Sequence, residues 1–321
     1  MNILGIETSC DETSAAIVKD GRKILSNVVI SSLKEHKRYG GVIPEIASRR
    51  QLECINPVVE KALFDARINL NDIDAVAVTY SPGLIGSLLV GISFSRALAF
   101  AVKRHWLKVD HIKAHLYACF LQDGTNRLIP KLPAIGLVVS GGHTSLYYIK
   151  DFNKFILIGQ TLDDAAGESF DKVSRILGLG YPGGPVIEKR AKRCKYVNLR
   201  FNCAKLPGTL DFSFSGIKTG VLYYVRDNNI GKEDTKKINE IAAAFQRSIV
   251  SVLVEKSMAA CDRFKVKTMV VGGGVAANSF LREVFIREAY SRNIKIFFPP
   301  LALCMDNAAM VAGLGYHILK K

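Results

Sequence analysis

Two histidines four positions apart, His111 and His115 in the stretch His111-Ile-Lys-Ala-His115, are the first residues of this 321-residue sequence whose types and spacing suggest chemistry. On a helix, i to i+4 spacing stacks both imidazoles on one face, as a shared metal ion requires. Such a pair in isolation is more often a surface feature. Here it stands among only six histidines, and a carboxylate from elsewhere would complete a site. Asp306, in Cys304-Met-Asp-Asn-Ala at the start of the last helix, is a candidate third ligand, with a helix N-cap as its alternative role. A metalloprotease would need the HExxH glutamate after the first histidine, where this chain has Ile112.

Four glycine-bearing turns form the second group: Ser140-Gly141-Gly142, Gly183-Gly184, Gly272-Gly273-Gly274 and Ser81-Pro82-Gly83. Glycine at a strand-to-helix turn lets an anion approach exposed backbone amides at a helix N-terminus. One such turn alone usually serves only the turn, whereas four on one α/β framework favour a nucleotide site. Neither a Walker A sequence nor a Rossmann GxGxxG with a distant acid is present.

The elements that must position these groups repeat. Sliding the sequence by 131 positions aligns residues 5–20 with residues 136–151, and six of the sixteen pairs are identical: Gly5/Gly136, Ser9/Ser140, Thr13/Thr144, Ser14/Ser145, Lys19/Lys150 and Asp20/Asp151. Each copy reads as strand, polar turn, strand, with a third strand at Ile24 to Ile30 or Phe155 to Thr161. Helical patterns follow at Pro44 to Arg67, Asp164 to Leu177 and Asn239 to Phe264. Strands at Ile73 to Tyr80 and Lys267 to Val271 each run into a glycine turn and a further helix, the second starting near Ala277. Two such lobes related by duplication imply a cleft between them.

Composition suits this reading. A hydrophobic fraction of 49% with no low-complexity tract describes a folded chain long enough for two cores. The longest apolar run, Gly83 to Val102, carries Arg96 and reads as a buried helix rather than a membrane span. The N-terminal residues lack a secretory pattern, so the expected location is cytoplasmic, with no membrane partner. Seven scattered cysteines without a CxxC fit reduced thiols, and Cys10 reads as filling a loop rather than as a nucleophile. A net charge of +15 favours an anionic partner such as RNA, DNA or anionic membrane. The densest basic stretch comprises Lys189, Arg190, Lys192, Arg193, Lys195, Arg200 and Lys205, and a solvated helix face is its alternative reading.

The stretches Gly5-Ile-Glu-Thr-Ser-Cys-Asp-Glu-Thr, Tyr39-Gly-Gly-Val-Ile-Pro-Glu, Val109-Asp-His-Ile-Lys-Ala-His115, Val139-Ser-Gly-Gly-His143, Gly167-Glu-Ser-Phe-Asp-Lys172, Tyr181-Pro-Gly-Gly-Pro185 and Gly272-Gly-Gly-Val-Ala-Ala-Asn278 occur in this order. Together they make the chain resemble the tRNA N6-adenosine threonylcarbamoyltransferase family, in its bacterial branch, from Asn2 to beyond Asp306. The resemblance implies an α/β fold of two actin-like, Hsp70-like, hexokinase-like (ribonuclease H-type) lobes related by duplication, with an interlobe nucleotide cleft. Expected lobes are residues 1–131 and 132–306, with a C-terminal helix over 307–321 packing back on the first.

It also implies an enzyme that moves the threonylcarbamoyl group of threonylcarbamoyl-adenylate to N6 of an anticodon-loop adenosine in tRNAs reading codons that begin with A, releasing AMP. Matched to the family's positions, His111, His115 and Asp306 are its metal ligands, for Fe2+ or alternatively Zn2+. Val139, Ser140, Gly141, Gly142, His143, Asp171, Gly184 and Asn278 match its substrate-binding positions, for threonylcarbamoyl-adenylate or ATP/ADP. Asp11 and Glu12 match positions near the reacting centre, one as base or positioning group, and a turn-forming role is the alternative for Asp11. The implied partners are tRNA, a synthase supplying the adenylate, a paralogous actin-like subunit and a small ATPase. A small-molecule kinase and a non-catalytic nucleotide-gated module of the actin/Hsp70 type remain alternatives on the same fold.

Overall fold

A computed structural model describes residues 1–125, 127–194, 196–204 and 206–321. The chain divides into two compact units, Met1–Pro130 with Asp151–Lys154 and Pro299–Lys321, and Lys131–Lys150 with Phe155–Phe298.

The first unit opens with β1 (Asn2–Glu7), β2 (Glu12–Lys19) and β3 (Lys23–Ser31), then α1 (Leu33–Lys37), α2 (Pro44–Ala66), β4 (Ala75–Ser81), α3 (Ile85–Ala101), β5 (His105–Asp110) and α4 (His111–Tyr117). The second contributes β6 (Ala134–Val139), β7 (Thr144–Asp151), β8 (Lys154–Gln160), α5 (Ala166–Ile176), α6 (Gly183–Ala191), α7 (Ser215–Asp227), α8 (Thr235–Phe264), β9 (Thr268–Gly272), α9 (Ser279–Ser291) and β10 (Lys295–Phe297). The last helix, α10 (Ala308–Leu319), belongs to the first unit.

Both sheets have the same order, β3-β2-β1-β4-β5 and β8-β7-β6-β9-β10. In each, a three-stranded antiparallel meander is followed by two parallel strands. The duplication read from the sequence extends to register. Gly5 pairs with Ala16, and Gly136, its equivalent after a shift of 131, pairs with Tyr147, the equivalent of Ala16.

β1 and β2 are apolar on consecutive residues because helices cover both faces of the first sheet. Leu4, Ile6, Ala15 and Ile17 bury against Ile55, Val58 and Val59 of α2 and against Val90 and Ala99 of α3. Gly5 lies on the other face, beneath α10, where an added Cβ would run into the carbonyl of Ala308 and the backbone of Ala312. Close seating of α10 on β1 therefore depends on the absence of a side chain at Gly5.

Several sequence expectations need correcting. α3 is not a buried helix: its buried positions are Ser87, Val90, Gly91, Ser95 and Ala99, while Ile85 and Phe100 are 80% and 87% exposed. Small residues line the stripe facing the sheet because the helix approaches closely there, and Gly91 sits against Thr8. Among the described residues, no helix is long and apolar enough to cross a membrane. The edge strands β5 and β10 and the helices α6 and α7 were not anticipated. α6 begins on Gly183-Gly184-Pro185, residues that read as a turn although proline fits a first helical turn.

Replacing Gly5 by alanine should lower unfolding stability by about 1–3 kcal/mol through overpacking against α10. Urea denaturation checks this, and an unchanged midpoint would show that α10 shifts without cost.

Candidate metal centre and substrate turns

His111 is the first residue of α4, immediately after β5 ends, and the carboxylate of Asp110 caps that helix by accepting from the Lys113 amide at 2.9 Å. One helical turn brings the His111 and His115 rings edge to face, with centroids 4.6 Å apart. Asp306 Oδ1 lies 3.0 Å from His115 Nε2 and 3.7 Å from His111 Nε2. One ligand atom from each of the three residues falls within 4.8 Å of the others.

The N-cap role considered for Asp306 goes instead to Asn307, whose side-chain oxygen accepts from the Met310 amide at 3.1 Å. Asp306 is thereby left beside the imidazoles. His115 is buried; its Nδ1 has no hydrogen-bond partner among the described residues, and its Nε2 lies beside the Asp306 carboxylate without forming a hydrogen bond with it. A buried polar atom left in this state is costly, and a cation shared with Asp306 and His111 would satisfy it. The donor set therefore fits a metal ion.

His111 is oriented from behind. Its Nδ1 lies 3.2 Å from Glu7 Oε2 and 3.1 Å from Ser9 Oγ, which leaves Nε2 for the centre. Glu7 is fully buried at the end of β1, where its oxygens also accept from Thr79 Oγ1 and from the Ser9 amide, each at 2.5 Å. A carboxylate behind an imidazole in this way fixes the ring's tautomer and raises its basicity as a ligand. Burial alone would lower the pKa of His111, but the charges of Asp306 and Glu7 outweigh it and raise the value to about 9.

The β1–β2 turn brings Asp11 and Glu12 close to this centre. Burial, followed by the charges of Asp306 and Asp11, raises Glu12 to about 10. Burial and the carboxylates of Asp11, Asp306 and Glu12 also raise the Cys10 thiol, so it is held protonated, as expected of a loop-filling residue and not of a thiolate nucleophile. The turn is gripped through its carbonyls. Leu84 donates to Ser9 O at 2.8 Å, Ser87 Oγ to Cys10 O at 3.2 Å, and Gln51 Nε2 to Cys10 O at 3.0 Å and Glu12 O at 3.1 Å. The glycine turn Ser81-Pro82-Gly83 is thus part of the support for Asp11 and Glu12.

In the second unit the anticipated substrate positions form a connected ring. Ser140 and His143 close the β6–β7 turn, the Ser140 amide donating to the His143 carbonyl at 2.8 Å, and Gly141 and Gly142 are exposed at its tip. The Ser140 carbonyl accepts from Gly167 at the start of α5. On α5, Asp171 Oδ1 accepts from the Gly183 amide at 2.6 Å, beside Gly184 in the first turn of α6. Burial raises the pKa of Asp171, with the bond from Gly183 opposing. Glu188 of α6 accepts from Ser279 at the start of α9. Gly273, at φ +94°, packs over the Val139 carbonyl and completes the ring. Asn278 is committed to structure: its oxygen caps α9 through the Leu281 amide and its amide group donates to Gln246.

Glu7, Ser9, Thr79 and Gln51 were missed as functional residues. Glu7 left a signal, an acid ending an otherwise apolar strand. In the basic stretch, Lys189, Lys192, Arg193 and Arg200 are exposed, Lys192 pairs with Glu188 at 2.7 Å, and Lys195 and Lys205 lie outside the described residues.

The paired sheets and their order define an actin-like ATPase fold. HypF of T. kodakarensis matches with a TM-score of 0.64 at 14% identity, covering 99% of this chain and 48% of that one. Component A of the Acidaminococcus fermentans (R)-2-hydroxyglutaryl-CoA dehydratase matches with a TM-score of 0.57 at 14% identity, covering all of both chains. Within that fold class the sequence is more specific. The family profile described as tRNA N6-adenosine threonylcarbamoyltransferase matches residues 23–313. The chain is 49% identical to the tRNA N6-adenosine threonylcarbamoyltransferase of Syntrophus aciditrophicus, covering 100% of this chain and 93% of that relative. It is 50% identical to the protein of the same name from Fusobacterium nucleatum subsp. nucleatum, covering 100% and 92%. The chain belongs to the tRNA N6-adenosine threonylcarbamoyltransferase family.

Two outcomes are expected. Glu7→Gln should weaken divalent-metal binding by about 10- to 100-fold, measured by titration calorimetry on metal-stripped protein; unchanged affinity would show that Glu7 does not tune His111 as a ligand. Glu12 ionises at a pH near 4.5 when unfolded but near 10 when folded and metal-free, so its burial costs stability that grows as pH rises above about 4.5. Glu12→Gln should accordingly raise the melting temperature of the metal-free protein at pH 8 and leave it unchanged at pH 4.

Proposed function

We propose that this chain transfers the threonylcarbamoyl group of threonylcarbamoyl-adenylate to N6 of an anticodon-loop adenosine in tRNA. The observation that carries the reading is the cluster of His111, His115 and Asp306 beside Asp11 and Glu12, in a chain with full-length relatives of that name. The kinase and nucleotide-gated module readings leave this cluster without a task.

In the reaction a bond forms between adenosine N6 and the carbamoyl carbon, the bond from that carbon to the adenylate phosphate oxygen breaks, and AMP leaves. One proton must leave N6. Its lone pair is delocalised into adenine, so positioning and proton removal carry much of the rate. One of the two carboxylates of the turn takes that proton and the other orients the amine; Glu12 serves as base once a bound cation offsets the neighbouring carboxylates that otherwise keep it neutral. A divalent cation held by His111 Nε2, His115 and Asp306, Fe2+ in the first instance and Zn2+ as alternative, supplies a Lewis-acid point for the transferred group. The exposed amides of Gly141 and Gly142 and the first turn of α6 at Gly184 bind the phosphate. The second oxygen of Asp171 accepts from the ribose, and Val139, His143 and Asn278 shape the pocket.

A separate synthase supplies the adenylate, and a paralogous actin-like subunit and a small ATPase act as accessory proteins. Exposed Lys189, Lys192, Arg193 and Arg200 provide an electrostatic surface for tRNA.

The test is mass spectrometry of nucleosides from unmodified tRNA incubated with the protein, synthase, accessory partners, ATP, threonine and bicarbonate. Wild type should form threonylcarbamoyladenosine, and a His111→Ala, His115→Ala double variant or chelator-treated protein should not. Product from both proteins would remove the metal from the mechanism and spare the function. No product from wild type, with the same partners active beside a known transferase, would overturn the reading.

A further inference from the structure

His36 is fully buried in the five-residue helix α1, far in sequence from the metal ligands, and the reaction described above assigns it no task. Its hydrogen bonds can run in only one direction. The Ile43 amide lies 3.2 Å from Nδ1, and an amide N–H only donates, so Nδ1 presents its lone pair. The neutral ring then carries its proton on Nε2, which lies 3.0 Å from Ser32 Oγ. Ser32 Oγ has one proton, which it donates to the Asp11 carbonyl at 2.8 Å, so it accepts from His36. The Ser32 amide donates to the same carbonyl at 3.0 Å.

We propose that His36 is a positioning residue for the transfer reaction: through Ser32 it holds the backbone carbonyl of Asp11, and so sets the direction in which the Asp11-Glu12 turn presents its carboxylates. This inference rests on the reading of that turn as the reacting centre. Both acceptor directions of the Asp11 carbonyl are occupied by one serine, and that serine is oriented by the imidazole. The next residues are tied to the same place, since Glu12 and Ser31 are ladder partners and Ser31 Oγ donates to Glu12 Oε1 at 3.3 Å. At its far end the relay starts from Ile43, the N-cap residue of α2, and α2 also carries Gln51, which grips Cys10 and Glu12. The turn is therefore held from α2 by two routes, one direct and one through His36. The site requires an acceptor at the δ position and a donor at the ε position of one rigid side chain, and neutral histidine provides both.

Two substitutions separate the ring's two bonds. Asparagine places an oxygen near the former Nδ1, and its short amide does not bring an N–H to the former Nε2 position, whereas glutamine places an amide N–H there. With fully metal-loaded protein in the tRNA assay, His36→Asn and Ser32→Ala should each lower kcat by about 10- to 100-fold, the range expected when a reacting group is slightly misplaced. KM for tRNA and metal content should stay at the wild-type values. His36→Gln should recover most of kcat, and the Ser32→Ala, His36→Asn double variant should be no slower than the slower single variant. Melting temperatures of all variants are measured alongside. Wild-type kcat in folded Ser32→Ala and His36→Asn would overturn the proposal. So would equal losses in His36→Asn and His36→Gln that track melting temperature, because the ring would then serve only packing. Asp11→Asn and Glu12→Gln serve as the control on the underlying reading. Full turnover in both would remove the reacting turn itself, whereas loss there with normal Ser32→Ala would overturn the relay alone.

Discussion

The structure of the first unit depends on a concentration of buried negative charge. Glu7 and Glu12 are buried, Asp306 is mostly so, and Asp11 sits on the same turn, all near two imidazoles. Burial disfavours charged carboxylates, and neighbouring carboxylates disfavour one another, so such a cluster is tolerated only when positive charge or protons compensate. Each group there responds in that sense. His111 is held toward its charged form, Glu12 is pushed toward its neutral form, and Cys10 keeps its proton. A cluster of this charge that offers two imidazoles and a carboxylate within reach of one point fits a cation.

The duplicated fold explains where such a site can stand. In each unit the candidate turns follow the carboxyl ends of the parallel strands, β1, β4 and β5 in one and β6 and β9 in the other, where open α/β sheets place their ligands. The same β-turn has been specialised in opposite directions. At the shift of 131 that aligns the two hairpins, Cys10, Asp11 and Glu12 correspond to Gly141, Gly142 and His143. The first copy crowds carboxylates near the two imidazoles, and the second exposes glycine amides. The shared register of Gly5 with Ala16 and Gly136 with Tyr147 shows that the divergence lies in the turn and not in the strands.

This division between scaffold and turn also explains the comparisons. Proteins at 14% identity share the fold and bear quite different names, so the fold identifies a scaffold on which chemistry is placed. Family membership comes from the family profile over residues 23–313 and from relatives of that name that share about half of all residues along the whole chain. Around the first turn the constraint extends beyond the carboxylates. Gln51, Ser87, Leu84 and Ser32 are spent on holding backbone carbonyls, because a turn of like charges would otherwise relax outward into water.

The sequence by itself determined the periodic features. Strands, long helices and the repeat were legible because a buried sheet demands runs of apolar residues and a helix demands a 3.6-residue pattern. The His111/His115 pair was legible because i to i+4 spacing is a local property of a helix. Only the tertiary structure decided what depends on approach between distant segments. It removed Asp306 from the capping role by giving that role to Asn307, and it exposed the large side chains of α3 by packing a stripe of small ones. It also recruited Glu7, Ser9 and Thr79 behind His111, and His36 and Ser32 behind Asp11. These partnerships join residues up to 104 positions apart, and a hydrogen bond of that span leaves no period or spacing in the chain.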